Sequence, residues 1–222
     1  MNMSSRLKSV VITFFIIGIP VLFMVVMKCG RTVYKALPHL GNFRGIEPNG
    51  DTIYHTIDDF EFIDQQGRKV TNKNFDSCIY VASYFFVTCP DVCPRMNANL
   101  QRVYDRYKDH PRVKFISHTV DPEHDNPEVL YKYAQSLKVN HDKWYFVTGK
   151  KDSLYSLAQR SYMIRASEGD AKPVSFIHDQ TLVLVDENRH IRATFDGLAP
   201  EKMDVLTDAI QLLLTEMRRK NK

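Results

Sequence analysis

Residues 78–94 read CIYVASYFFVTCPDVCP and carry the clearest fold signal of the sequence. The run from Cys78 to Val87 is almost wholly β-branched and aromatic, which is typical of a strand buried on both faces. Pro94 suits the first turn of a helix, where a missing backbone N–H costs nothing, and apolar residues from Met96 to Tyr107 then recur at helical spacing. The stretch therefore predicts a buried strand that leads directly into a helix.

The flanking sequence alternates between strand and helix patterns. We predict a hairpin over residues 60–70, strands at Val113–Val120 and Trp144–Val147, helices at Pro127–Leu137 and Ser153–Met163, a hairpin at Gln180–Phe195 and a last helix from Pro200. This order predicts one α/β domain with a mixed central sheet flanked by helices. The 222 residues, 44% of them hydrophobic and 25% charged, suffice for one globular domain with a core.

The charge of the chain argues against nucleic-acid binding. The formal net charge is +4, and the only dense basic run of the sequence is its C-terminal end, residues 218–222. Because the sequence has no basic stripe interleaved with aromatic residues, we expect no nucleic-acid surface.

The N-terminal region contains an uncharged apolar run. Residues 10–27 read VVITFFIIGIPVLFMVVM, and as a helix they would be about 27 Å long, close to the roughly 30 Å hydrocarbon core of a bilayer. A cleaved signal peptide is the alternative, but its apolar region is normally shorter and ends at a small-residue cleavage site. We predict a tail at 1–9, one transmembrane helix at 10–27, a linker at 28–53 and the domain at 54–222.

The orientation of this predicted single-pass anchor is ambiguous in the sequence. Positive charges are more numerous after the run than before it, which favours a cytoplasmic domain. A short N-terminal tail with one following domain is instead the usual layout of an exported protein, because large domains translocate largely regardless of charge. We expect export, with the domain on the periplasmic or intermembrane-space side of an inner membrane.

Two of the four cysteines are placed for chemistry. Cys89 and Cys93 are four residues apart at the predicted junction of strand and helix, so a helical turn would put both on one face. This arrangement suits a disulfide and a pair of metal-binding sulfurs equally well. A helix N-terminus also lowers the pKa of a cysteine, and the thiolate is both ligand and nucleophile. Cys78 is expected to be a small buried hydrophobe.

The same residues resemble a known family. The run Tyr84–Pro94 (YFFVTCPDVCP), the segment 121–125 (DPEHD) and His178 at the start of the late hairpin are similar to the Sco/SenC family of copper-binding assembly proteins. The resemblance implies a thioredoxin-like domain that binds one copper ion through Cys89, Cys93 and His178. It also implies a role in maturing the binuclear copper centre in subunit II of cytochrome c oxidase, as a copper chaperone and not an enzyme.

The donor chemistry agrees with copper. Soft thiolates with an imidazole favour Cu(I), whereas structural zinc would need a fourth protein ligand. The alternative is a membrane-tethered thiol–disulfide oxidoreductase using Cys89 and Cys93 as a redox disulfide. Against that alternative, the two cysteines lack the Cys-x-x-Cys spacing of ordinary thioredoxins, and dithiol chemistry has no use for His178.

The other histidines are expected to play no part. His118, near the end of a predicted strand, is expected to face solvent, with an auxiliary copper ligand as the less favoured alternative. The remaining histidines are expected to be solvated in polar loops; they are His39, His55, His110, His124, His141 and His190.

Overall fold

The structure is a computed structural model that describes residues 13–29, 36–41, 45–46, 52–164 and 180–220. The chain divides into two compact units, Met1–Lys35 and Ala36–Lys222. In the first unit, a π-helical turn at Phe14–Gly18 continues into helix α1 (Ile19–Cys29). Across the described ranges, no helix combines the length and the apolar character needed to cross a membrane. Residues 10–12 of the predicted anchor lie outside those ranges.

The second unit is built on a seven-stranded sheet. A two-stranded ribbon, β1 (Gly45–Ile46) and β2 (Thr52–Ile53), precedes it. The sheet strands are β3 (Glu61–Asp64), β4 (Lys69–Thr71), β5 (Ile79–Phe85), β6 (Val113–Thr119), β7 (Trp144–Thr148), β8 (Thr181–Val185) and β9 (Ile191–Asp196). Their spatial order is β4-β3-β7-β6-β5-β8-β9. Because β5, β6 and β7 are parallel and the remaining pairs antiparallel, the sheet is mixed, as the sequence predicts.

Helices cover both faces of the sheet. They are α2 (Val92–Tyr107), α3 (Pro127–Ser136), α4 (Lys151–Ser156) and α5 (Pro200–Lys220), with a 3₁₀ turn at Asn72–Phe75 and a π-helical turn at Leu157–Ser161. Apolar residues of α2, α3 and α5 pack on one face, and those of α4 and the π-helical turn pack on the other. The prediction of a mixed sheet flanked by helices is confirmed.

Strand β5 joins the two apolar cores. All seven of its residues are buried, and its side chains alternate between the faces. Val81 and Phe85 belong to the core under α2, whereas Tyr80 and Tyr84 belong to the opposite core. A strand that contributes to both cores needs apolar side chains at nearly every position, which explains the continuous pattern in the sequence.

The expectation for His118 is wrong. Its side chain is fully buried on β6, stacked on Tyr84 at 4.8 Å between ring centroids and in edge contact with Phe60 and Phe62. Burial lowers the pKa of His118 to about 3, which a hydrogen bond with the Ser83 carbonyl only partly offsets. The imidazole is therefore neutral, and it lies in the core opposite to that of the cysteines.

The expectation that the loop histidines are solvated also needs correction. His55 is buried, and its Nε2 lies 2.7 Å from the carbonyl oxygen of Ser161, 106 residues away in sequence. His39 and His190 are half-buried and in ring contact with each other. These contacts join distant segments, so the local polarity of each loop gave no sign of them.

Candidate metal centre

Cys89 and Cys93 lie where β5 passes into α2. The strand ends at Phe85, a short turn follows, and the backbone N–H of Cys89 donates to the carbonyl oxygen of Phe86 at 3.3 Å. Helix α2 begins at Val92, so Cys93 and Pro94 lie in its first turn. The predicted junction of strand and helix is confirmed, and it presents both cysteines at the carboxyl end of β5.

The two cysteines are unbonded thiols held in apolar surroundings. Cys89 is 9% exposed and Cys93 6% exposed, and both belong to the core under α2. The backbone N–H of Cys93 donates to Sγ of Cys89 at 3.3 Å. The prediction that the two residues lie together is confirmed, and the metal that they bind stays a prediction.

The Cys89 thiol is poised to ionise. Burial alone would raise its pKa, but hydrogen bonds from the backbone and side chain of Cys93 and from the backbone of Asp91 and Val92 outweigh that effect. The net result is a pKa below the ordinary value for a cysteine. Free N–H groups at a helix start stabilise a thiolate in this way.

The Cys93 thiol has the opposite character. Burial and the hydrogen bond with the Cys89 side chain raise its pKa to about 12, and the negative charges of Cys89 and Asp125 add to that rise. A backbone hydrogen bond at Phe86 lowers it only in part. Of the two thiols, Cys89 therefore ionises more readily, and Cys93 stays protonated at neutral pH.

The DPEHD segment holds the turn that carries Cys89. Oδ2 of Asp125 accepts hydrogen bonds from the backbone N–H of Val87 at 3.1 Å and from the hydroxyl of Thr119. Burial raises the pKa of Asp125, and these two hydrogen bonds oppose the rise. The carboxylate thus connects the end of β6 to the start of the cysteine turn. The motif is visible in the sequence, but the role of Asp125 in positioning the cysteine turn is not.

A second pair of polar residues adjoins the cysteines. Asn97, one turn after Cys93 on α2, is fully buried and donates from Nδ2 to the hydroxyl oxygen of Tyr133 at 2.7 Å. Burial raises the pKa of Tyr133 to about 12, and the charges of Cys93 and Cys89 contribute to the rise. Neither residue can be predicted from the sequence, because an isolated Asn and an isolated Tyr on different helices carry no local signal.

The predicted third ligand, His178, lies outside the described residues. Met96 is buried in the core under α2, as its helical spacing predicts. Cys78, immediately before β5, is buried, as expected. Within the described part of the chain, the candidate site thus consists of Cys89 and Cys93 with their supporting residues.

Comparison with known proteins agrees with this geometry. The SCO1/SenC family model matches residues 49–214. The SCO1 protein homolog of Bacillus subtilis is 27% identical over 152 residues, which cover 67% of this chain and 77% of that protein. The mitochondrial SCO1 homolog 1 of Arabidopsis thaliana is 29% identical over 129 residues, which cover 56% of this chain but only 37% of that protein.

Solved structures show the same thioredoxin-like fold. A SCO1/SenC family lipoprotein from Bacillus anthracis superposes with a TM-score of 0.64 at 23% identity, over 72% of this chain and 95% of that one. BsSco, described as a member of the Sco family of cytochrome c oxidase assembly proteins with a disulfide switch, gives 0.62 at 25% identity, over 72% and 94%. Copper-bound ScoI of Arabidopsis thaliana gives 0.58 at 23% identity, over 71% and 98%. With three quarters of its length matched by the family model and its fold shared with these structures, the chain belongs to the SCO1/SenC family.

Proposed function

We propose that this protein is a copper chaperone that carries one copper ion on Cys89, Cys93 and His178 and helps to mature the binuclear copper centre of cytochrome c oxidase subunit II. The observation that carries the proposal is the pair of unbonded, buried thiols at the start of α2, with the Cys93 N–H directed at the Cys89 sulfur. A soft, shielded dithiol of this kind suits copper, which prefers thiolate and imidazole donors.

The sheet topology supports His178 as the third ligand. Strand β8 is antiparallel to β5, so it begins at the end of the sheet where β5 ends and the cysteine turn starts. A residue three positions before Thr181 is restricted by covalent geometry to within about 11 Å of it. An imidazole at that place in the sequence is therefore within reach of the cysteine end of the sheet.

Relatives support copper as the cargo. Structures of family proteins from Arabidopsis thaliana, Bradyrhizobium japonicum and yeast are described with copper bound. BsSco is described as one of a family of cytochrome c oxidase assembly proteins. We extend these descriptions to this chain, with copper as the proposed cargo and cytochrome c oxidase as the proposed target.

We place the protein in a membrane through residues 10–27, with the domain on the periplasmic or intermembrane-space side. The uncharged sequence of that run supports an anchor. Relatives from Arabidopsis thaliana and Danio rerio are described as mitochondrial.

A thiol–disulfide oxidoreductase is the second candidate, and one observation favours it. The pKa of Cys89 is lowered and that of Cys93 is raised, which is the asymmetry expected of an attacking and a buried resolving thiol. The two functions are compatible, because a copper chaperone could also reduce the cysteines of its target.

Copper stoichiometry of the full-length chain in detergent tests the first candidate. The reduced protein should bind one copper ion per chain. The form with a Cys89–Cys93 disulfide should bind no copper at this site, because oxidation removes both thiolates. The Cys89→Ser/Cys93→Ser variant measures the copper bound at other sites. If the reduced and the oxidised forms bind equal amounts of copper above that level, Cys89 and Cys93 are not the ligands.

A further inference from the structure

A second group of metal-binding side chains lies far from the cysteines. His39, Asp186 and His190 each direct one ligand atom toward the others, and these three atoms lie within 4.8 Å of one another. Asp186 and His190 flank the turn between β8 and β9, and His39 comes from the segment before the sheet.

The group lies at the opposite end of the sheet from the cysteine pair. Val185, the last residue of β8, pairs with Tyr80 near the start of β5, whereas the cysteine turn follows Phe85 at its end. At roughly 3.3 Å per residue the two ends of this strand are about 20 Å apart. The two groups therefore cannot share one ion.

The position of His39 is fixed by its neighbours in sequence. The Arg192 guanidinium donates to the carbonyl oxygens of Leu37 at 2.6 Å and Pro38 at 3.2 Å, and Leu40 forms a β-bridge with Ile191. Tyr54 stacks on the His39 ring at 4.0 Å between centroids. The imidazole is thus held beside His190, with 4.9 Å between their ring centroids.

The His190 imidazole lies beside the Asp186 carboxylate without a hydrogen bond between the two side chains. Nδ1 of His190 is buried and has no hydrogen-bond partner among the described residues, and it lies 3.5 Å from Oδ1 of Asp186. A buried imidazole nitrogen without a hydrogen-bond partner, beside a carboxylate, is available as a metal ligand.

The charged side chains beside the histidines have a net negative charge, which favours binding of a cation. The buried Arg192 guanidinium pairs with two carboxylates, Asp186 at 3.0 Å and Glu216 at 3.0 Å. One positive and two negative groups leave an excess of one negative charge beside the histidines. Among the described residues, Oδ1 of Asp186 accepts hydrogen bonds from the N–H groups of Asn188 and His190, and Oδ2 accepts one from Arg192, so the position left for an ion is on Oδ2.

We infer that His39, Asp186 and His190 form a second metal site that takes a divalent transition-metal ion. Two imidazoles and one carboxylate suit Cu²⁺ and Zn²⁺, and three protein ligands leave a position for water. A bound ion clamps segment 36–41 to the β8–β9 turn, where the chain enters the domain. This site is independent of the proposed copper cargo site, because the two share no ligand.

The test uses the untagged full-length chain in detergent with Cys89→Ser/Cys93→Ser, which removes the dithiol. Titration with Cu²⁺, and separately with Zn²⁺, should show one ion per chain by calorimetry. The Cu²⁺ electron paramagnetic resonance spectrum should show coupling to two imidazole nitrogens. His39→Ala and His190→Ala should each weaken binding at least about 10-fold, and His39→Ala should leave one coupled nitrogen.

His124→Ala is the matched control, because His124 is exposed and lies after β6 at the other end of the sheet. It should bind both ions as tightly as the parent. The nitrogen count reports on the ligands even if a variant is less stable. Unchanged affinity and nitrogen count in His39→Ala and His190→Ala, or an equal loss in His124→Ala, would overturn the site.

Discussion

The backbone N–H of Cys93 donates a hydrogen bond to the sulfur of Cys89, 3.3 Å away. This contact stabilises negative charge on Cys89, while the same proximity disfavours a second negative charge on Cys93. The sequence spacing of four residues at a helix start produces both effects, since it puts one sulfur over the free N–H groups and the other inside the core.

The two thiols should differ in reactivity toward iodoacetamide. Because the pKa of Cys89 is lowered, its thiolate forms at a lower pH than that of an ordinary cysteine. Cys93, with a pKa of about 12, stays protonated at neutral pH. Peptide mass spectrometry of the reduced chain at pH 7 should therefore show alkylation of Cys89 before Cys93. Equal rates, or faster alkylation of Cys93, would contradict the assigned asymmetry.

Removing the Asp125 carboxylate should loosen the cysteine turn. Asp125→Ala leaves the Val87 N–H and the Thr119 hydroxyl without their acceptor, and an unsatisfied buried donor costs about 1–3 kcal/mol. We expect a lower free energy of unfolding by chemical denaturation, and faster hydrogen exchange of the Val87 amide. Asp125→Asn keeps an acceptor oxygen and should recover most of the loss.

Glu128→Ala is a suitable control for the Asp125 variants, because this carboxylate is exposed and pairs only with Lys132 within the described residues. Its stability should match that of the parent to within about 0.5 kcal/mol. A Val87 amide that exchanges equally slowly in Asp125→Ala and in the parent would show that the carboxylate does not hold the turn.

Sequence patterns predicted what is local in this fold. Strand β5 and the start of α2 are encoded by contiguous residues, so the cysteine pair followed directly from their spacing. Asp125 and Val87 are 38 residues apart in sequence, and no pattern in either segment predicts their contact.

The burial of His118 could not be predicted from local sequence patterns either. It is the second-last residue of β6, and its neighbours in sequence gave no sign of the aromatic side chains that surround it. Those side chains come from β3, from the residue before it and from β5, so the burial of His118 depends on how the sheet assembles, which alternation along one strand does not specify.

Burial of His118 should make stability depend on pH. The pKa of His118 is lowered from 6.5 to about 3, so between these values the unfolded chain binds a proton that the folded chain does not. Its contribution to stability is complete above pH 6.5 and declines as the pH falls toward 3, by at most about 1.4 kcal/mol per pH unit. Chemical denaturation at pH 7, 6, 5 and 4 should show this decline.

His118→Phe isolates that contribution, because phenylalanine fills an aromatic site without a titrating group. Over the same pH range the variant should lose less stability than the parent. Parallel pH profiles for the two proteins would mean that other groups cause the acid sensitivity.

The role of His178 separates the two candidate functions. In a dithiol oxidoreductase the reacting atoms are the sulfurs of Cys89 and Cys93, so His178→Ala should leave the midpoint potential of that pair nearly unchanged. In a copper site the imidazole completes the coordination, and its loss should weaken Cu(I) binding by about 10-fold or more. Both quantities should be measured on the same reduced full-length preparations, the affinity by competition with a Cu(I) chelator.

Two controls make that comparison decisive. Cys78→Ala removes a thiol at the far end of β5, and His124→Ala removes an exposed imidazole, so neither should change Cu(I) affinity. We expect His178→Ala alone to lose copper affinity and, in cells, assembly of the oxidase copper centre, while its disulfide exchange persists. If copper affinity and oxidase assembly both survive in His178→Ala, the histidine is not a ligand, and the asymmetric dithiol of Cys89 and Cys93 is then better explained as an oxidoreductase site.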